Sequence, residues 1–139
     1  MSHEEALAFL SEGTRTAKVA VVRRDGSPLV TPVWFLVDDD GSIVFTTGEQ
    51  SVKGRSLVRD GRISLCVDEE RPPFAYVRVD GRVALSRDLE QLLRYATRLG
   101  SRYMGEEHAV AFGERNAVPG ELLVRIEEPH VVGLAGIAD

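Results

Sequence analysis

The chain has 139 residues, of which 43% are hydrophobic and 28% are charged, a composition that indicates one soluble globular domain over residues 1–139. The net charge of −5 excludes the broad positive surface that duplex nucleic acid requires, and the absence of any apolar run of about 18 residues excludes a membrane-spanning helix. A single cysteine, Cys66, excludes an intrachain disulfide, so we expect a reducing, cytoplasmic location.

The first third of the chain predicts one helix followed by strands. Ser2 and Glu5 form a capping box for a helix that ends at Gly13. Segments rich in valine and threonine then predict three strands, Ala17–Val22, Leu29–Val37 and Ile43–Thr47. Because Asp-Gly pairs separate these strands, we expect an antiparallel meander.

The middle of the chain predicts a short helix between strands. The segment Ser51–Arg59 lacks strand alternation and predicts that helix, although Gly54 in its interior costs about 1 kcal/mol relative to alanine. Strands are predicted at Ile63–Val67 and Ala75–Leu85. The second contains Asp80-Gly81, which favours a bulge in one long, bent strand over a hairpin.

The last third predicts a long helix and two closing strands. Leucines at helical spacing follow Asp88 up to about Tyr103, and the arginines at steps of four on this helix, Arg94, Arg98 and Arg102, indicate a solvated face. We expect a loop with some helix over Gly105–Pro119. Strands follow at Leu122–Ile126 and Val131–Leu134, the second at a sheet edge or bend because Pro129 precedes it.

Together these elements predict a mainly β, α+β fold, an antiparallel β-barrel with peripheral helices. A single barrel of this size leaves sheet and cleft surface that a second copy would cover, so we expect a homodimer.

Two cations, Lys53 and Arg55, stand at the start of the short helix. Helix starts carry a partial positive charge, so cations there are unfavourable unless an anion is bound. With Ser51 as N-cap and the hydroxyls of Thr46 and Thr47 nearby, the segment predicts a phosphate-binding site. The alternative is a solvated helix start, and the local pattern leaves both open.

Patterns for other chemistry are absent from the sequence. The three histidines and Cys66 have no metal-ligand spacing, so we expect no metal site. No nucleophile elbow, Walker loop or dinucleotide fingerprint occurs, and no catalytic side chain is assigned. If the protein is an enzyme, a bound cofactor supplies the reactive group.

The order of the motifs resembles the pyridoxamine 5′-phosphate oxidase-like split-barrel family. The resemblance spans Ala6 to Leu134 and rests on the runs Val30–Phe35, Ile43–Gly48, Ser51–Leu57, Arg59–Leu65 and Val77–Val83. Within the family, the chain looks most similar to short oxidoreductases that bind FMN or coenzyme F420, a deazaflavin, at a dimer interface. This implies an FMN-binding-like split barrel and a small-molecule substrate.

The resemblance also implies roles for individual residues. Lys53 matches the lysine that holds the cofactor phosphate, flanked by Ser51 and Val52. Because Val52 stands where FMN oxidases typically have arginine, the resemblance favours F420 over FMN. The other implied contacts are Thr46 and Thr47 with the ribityl chain or phosphate, Thr31, Pro32, Val33 and Trp34 along the ring, Pro73, Phe74 and Ala75 from the second subunit, and Arg55 and Arg59 with the acidic tail of F420.

The function so implied is hydride transfer between F420 and a small conjugated acceptor, with the proton donor unassigned. Two alternatives stay open: an FMN-dependent enzyme of the same fold, and a non-catalytic protein that binds flavin, deazaflavin or haem.

Overall fold

Eight strands and four helices make up most of the computed structural model, which describes residues 1–139. In chain order they are α1 His3–Ser11, β1 Ala17–Val22, β2 Pro28–Val33, β3 Leu36–Val37, β4 Ile43–Gly48, α2 Val52–Arg59, β5 Arg62–Glu69, β6 Ala75–Ser86, α3 Leu89–Met104, α4 Ala109–Asn116, β7 Glu121–Ile126 and β8 His130–Ala135. The predicted capping box is confirmed, since Ser2 caps α1 with Glu5 bonded back to it.

All strand pairs are antiparallel, and the strands follow the order β2-β1-β5-β6-β7-β4-β3, with β8 also paired to β6. The long strand β6 connects the two halves, because residues 75–82 pair with β5 and residues 83–86 pair with β7. The sheet therefore curls into an antiparallel split β-barrel with peripheral helices, and the predicted fold class is confirmed.

Two strand predictions need correction. The predicted strand Leu29–Val37 is two strands, because β2 pairs with β1 and β3 pairs with β4, with a break at Trp34 and Phe35 where the chain passes between the halves of the barrel. The bulge predicted at Asp80-Gly81 is wrong. The register with β5 continues without an extra residue there, although the single long strand is confirmed.

The segment predicted as a loop with some helix is mostly helical. A 3-10 turn at Glu106–His108 leads directly into α4, which packs against α3. The packing is close because both contact points are glycines. A Cβ on Gly100 would lie 2.7 Å from the Phe112 Cβ, and one on Gly113 would lie 2.1 Å from the Thr97 Oγ1.

Apolar side chains form two clusters that fix the helices to the sheet. The larger fills the barrel and includes Leu10 of α1 and Phe45 of β4. The smaller lies between α3 and the outer face of β4 and β7, and includes Val44 and Leu99. No helix of the chain has the length and hydropathy needed to cross a lipid bilayer.

Candidate functional site

The start of helix α2 packs against the end of β4, and Ser51 and Gly54 determine this contact. The Ser51 Oγ accepts a hydrogen bond from the Gly54 N–H at 3.0 Å and donates to the Gly48 carbonyl at 2.7 Å, so the predicted N-cap is confirmed. A Cβ on Gly54 would lie 2.1 Å from the Gly48 carbonyl oxygen. Glycine at this position thus lets the helix start contact the strand end, and that contact sets the directions of the side chains in the first turn.

One side of α2 faces a cavity of about 220 Å³. Strands, helix α2 and the α3–α4 pair all contribute to its walls. The lining residues are Pro32, Val33, Trp34, Thr46, Lys53, Ala96, Leu99 and Asn116. The cavity is therefore apolar along β2 and α3, with a small number of polar groups.

Lys53 supplies the positive charge of this cavity. Its side chain is half-buried, and its Nζ donates one hydrogen bond, at 3.0 Å, to the Thr31 Oγ1. No carboxylate lies within ion-pairing distance, and burial lowers the pKa of Lys53 from its ordinary value of 10.5. An ammonium has three donors, so this one retains two for a ligand, and an anionic group is the natural complement.

Trp34 forms a rigid wall of the cavity. Its ring stacks on Tyr103 with centroids 5.1 Å apart and planes 3° apart, and it meets Phe112 at 5.5 Å in a tilted contact. Trp34 is therefore packed between α3 and α4 while it also lines the cavity.

Side chains of α3 satisfy the backbone at the break between β2 and β3. The Phe35 N–H donates to the Tyr103 hydroxyl at 3.3 Å, and the Phe35 carbonyl accepts from Arg102 at 2.6 Å. Arg102 also donates to the carbonyls of Leu10 and Gly13. The prediction that its helix face is merely solvated is wrong for Arg102, which holds the cavity wall in place.

The opposite side of α2 faces a second, larger cleft of about 400 Å³. Four arginines line it, none of them in an ion pair. The lining residues are Arg23, Arg24, Asp25, Val52, Arg55, Ser56 and Arg59. The carboxylate of Asp25 accepts hydrogen bonds from the backbone and hydroxyl of Ser27, and Arg59 donates to the Val22 carbonyl at 2.9 Å.

The structure brings some of the predicted site residues together and separates others. Those at the cavity are Thr31, through its bond to Lys53, and Pro32, Val33, Trp34, Thr46 and Lys53. Ser51 caps the helix and Thr47 is buried, on the opposite face of β4 from Thr46. Val52 and Arg55 line the arginine cleft instead.

Pro73, Phe74 and Ala75 lie at the turn between β5 and β6 and do not line the cavity of their own chain. Phe74 is 38% exposed, at a backbone φ of 64° that is unusual for an aromatic residue. The Ile137 N–H, beyond β8, donates to the Phe74 carbonyl at 3.3 Å. The turn thus presents an aromatic side chain outward.

Three cavity residues were not predicted from the sequence, namely Ala96, Leu99 and Asn116. Ala96 and Leu99 belong to the regular apolar face of α3, which is typical of core packing. Asn116 ends a helix that the sequence did not clearly indicate, and no motif marks it.

Comparisons with known proteins agree with this fold. The family described as "Pyridoxamine 5′-phosphate oxidase" matches over residues 2–131. The conserved hypothetical protein Rv2991 of Mycobacterium tuberculosis has a similar structure, with a TM-score of 0.84 and 26% identity over 98% of this chain and 86% of that one. No functionally curated protein matches the chain.

Two further solved structures are similar in fold. A protein named F420 reductase matches with a TM-score of 0.74 and 21% identity, over 96% of this chain and 97% of that one. An FAD-binding protein of Mesorhizobium loti matches with a TM-score of 0.69 and 22% identity, over 96% and 94% of the two chains.

Proposed function

Because the chain belongs to the pyridoxamine 5′-phosphate oxidase family, we propose that it is an oxidoreductase with a flavin-type cofactor. In this proposal the cofactor is coenzyme F420, with FMN as the alternative, and a hydride passes between it and a small conjugated acceptor. When bound, such a ring supplies the hydride chemistry, and the protein contributes position and electrostatics.

The observation that carries this proposal is the state of Lys53. A half-buried ammonium with one hydroxyl partner and no carboxylate is unfavourable in the free protein, and an anionic ligand would compensate it. The apolar wall formed by Val33 and Trp34 beside it suits a flat, conjugated ring. The cavity therefore offers a cation for the phosphate of a flavin or deazaflavin and an apolar wall for its ring.

The preference for F420 rests on two supports. The first is that Val52 stands where FMN oxidases of this fold typically have arginine, and it lines the other cleft. Lys53 is therefore without a second cation among the residues that line the cavity. Similarity in fold to an F420 reductase is the second support. Similarity to an FAD-binding protein keeps ordinary flavins within the proposal.

The chain's own residues orient the ligand. Lys53 and Thr31 would hold the anionic end, and the packed ring of Trp34 would fix the plane in which the ring lies. When donor and acceptor atoms are held about 3 to 3.5 Å apart in a cleft with little water, much of the entropic part of the barrier to hydride transfer is removed.

We also propose that two copies form the complete site. The cavity of about 220 Å³ is smaller than the roughly 300 to 1,000 Å³ of sites that enclose small-molecule ligands, so one chain does not enclose a whole cofactor. The Phe74 turn points outward, and the outer side chains of the barrel, such as Ala20 and Ser64, are only partly buried. A second copy would supply Pro73, Phe74 and Ala75 to the ring.

The test is a titration of the apoprotein with FMN and with F420, followed by fluorescence, for the wild type and for Lys53→Ala. Loss of a charge-assisted contact should weaken binding of the preferred cofactor by about 1.5 to 3 kcal/mol. Binding of neither cofactor by the wild type, or equal binding by the variant, would overturn the proposal. Sedimentation of the loaded protein tests the dimer.

Turnover is tested separately, with the reduced form of the cofactor that binds. Oxidation of that cofactor on addition of quinone or enone acceptors supports an enzyme. Tight binding with no oxidation by any acceptor would instead indicate a storage or carrier protein.

A further inference from the structure

The polar groups of the Lys53 cavity are few, and one of them is a side-chain amide. Lys53 donates to Thr31, and the Thr46 hydroxyl belongs to strand β4. The third, Asn116, is the last residue of α4, and its amide makes no hydrogen bond to any other group of the chain.

The usual reasons for asparagine at a helix end do not apply to Asn116. Asparagine often ends a helix by adopting a positive φ, but the only non-glycine residues with positive φ are Phe74 and Glu128. The cap of α4 is formed by the backbone, where the Ala117 N–H donates to the Gly113 carbonyl at 3.0 Å. A donor and acceptor pair is thus left at the cavity wall.

The position of Asn116 is fixed rather than flexible. Gly100 and Gly113 let α3 and α4 approach so closely that any added Cβ would overlap the partner helix. Asn116 follows Gly113 by three residues, about one helical turn, and the adjoining wall is formed by Ala96 and Leu99 of α3. The backbone of Asn116 is therefore held in place before any ligand arrives, with its amide at the cavity wall.

We propose that Asn116 is a specificity-determining residue that hydrogen-bonds the uncharged ring end of the ligand whose anionic end Lys53 holds. A primary amide carries one acceptor oxygen and a two-hydrogen donor, and it matches a ring edge on which a carbonyl and an N–H are adjacent. The imide edge shared by flavins and deazaflavins has that pattern. This inference rests on the proposed function and extends it from charge recognition to ring recognition.

Ligands with and without phosphate distinguish the Lys53 contact from the Asn116 contact. FMN and riboflavin share the ring, and F420 has a corresponding phosphate-free riboside. Asn116→Leu keeps the size of the side chain but removes its hydrogen bonds. It should lower the affinities for FMN and for riboflavin by the same factor, about three- to tenfold. Lys53→Ala should lower the affinity for FMN and leave the affinity for riboflavin unchanged.

A second readout distinguishes a ligand contact from a packing effect. Loss of a hydrogen bond to a ring carbonyl should shift the absorption maximum of bound FMN or F420 in Asn116→Leu and in Asn116→Ala, which guards against poor folding of one variant. Glu114→Gln, an exposed neighbour on α4, is the matched control and should change neither affinity nor spectrum.

The outcomes are separable from those of the proposed function. Unchanged affinity and spectrum in both Asn116 variants would overturn the inference while the Lys53 result stands. A lower affinity for FMN with an unchanged affinity for riboflavin would also overturn the inference, because Asn116 would then act at the anionic end. A wild type that binds none of the ligands would overturn the proposed function itself.

Discussion

The two sides of helix α2 place the same sign of charge in different surroundings. On one side, Lys53 is half-buried in a small, largely apolar cavity with one hydroxyl partner. On the other, Arg55 and three further arginines line an open cleft whose Asp25 is already bonded to Ser27. In the proposed function, burial of the cation matters more than the number of cations, so the ligand's charge is assigned to the Lys53 cavity and not to the arginine cleft.

The physical reason lies in screening. Exposed guanidiniums interact through water and dissolved salt, which reduces each contact to about 0 to 1 kcal/mol. A partly desolvated ammonium keeps a larger share of its interaction, because less water competes for it. We therefore expect changes on the cavity side to alter binding more than changes on the cleft side.

We expect the greatest change from a substitution that displaces both sides of α2 together. Gly54→Ala forces a methyl group against the Gly48 carbonyl, so the start of α2 has to shift, and we expect a loss of about 3 kcal/mol of unfolding free energy. Urea denaturation measures this loss, with Val58→Ala, at an exposed position of the same helix, as the control. A Gly54→Ala protein of wild-type stability would show that α2 is not held by this contact.

An intermediate effect of opposite sign is expected on the cavity side. Lys53→Met removes a partly buried charge that only a ligand compensates, so the apoprotein should gain about 0.5 to 1 kcal/mol of stability while it loses cofactor binding. A lower stability of the variant would show that Lys53 is already compensated within the chain.

The pH dependence of that gain follows from the lowered pKa of Lys53. Below this pKa, both states of the wild type hold the charged lysine and the folded state bears the cost of burying it. As the pH rises through the lowered pKa towards 10.5, the folded state releases its proton first and the cost disappears. The stability difference between variant and wild type should therefore be largest near neutral pH and shrink in alkali.

The smallest effect is expected on the cleft side. Arg55→Met should change stability by less than about 0.5 kcal/mol, because the side chain is exposed and forms no ion pair. Any loss of cofactor affinity should disappear as salt is added, whereas the loss caused by Lys53→Ala should persist. Equal salt dependence at the two positions would remove the distinction between the sides.

Much of the fold was predictable because local patterns and tertiary packing agree. Apolar alternation and Asp-Gly turns located the barrel strands, and the Ser2 capping box located α1. The break at Trp34 and Phe35 was not predictable, since an unbroken run of strand-forming residues covers it and the cause is the passage between two sheet halves. Helix α4 was predicted only as part of a loop with some helix, because its sequence has no regular apolar spacing.

The site was predictable only where a motif marks it. Lys53 was found from the cations at the helix start and again from the family pattern, which also marked the residues of β2, and the structure brings them to one cavity. Arg55 was grouped with Lys53 by nearness in sequence, yet positions two apart on a helix point in different directions, and the structure puts them in separate clefts. Asn116 depends on how α4 packs on α3, which no local pattern specifies.

The bonds that Arg102 and Tyr103 make to Phe35 also bear on the order of assembly. They join positions 67 and 68 residues apart in the chain. During synthesis, β2 and β3 leave the ribosome long before α3 does, and the corner between them lacks its partners throughout that time. Contacts of such long range are slow to form. Helix α3 follows β1 to β6 in the chain, so this wall of the Lys53 cavity lacks its anchoring side chains until those six strands have been synthesised.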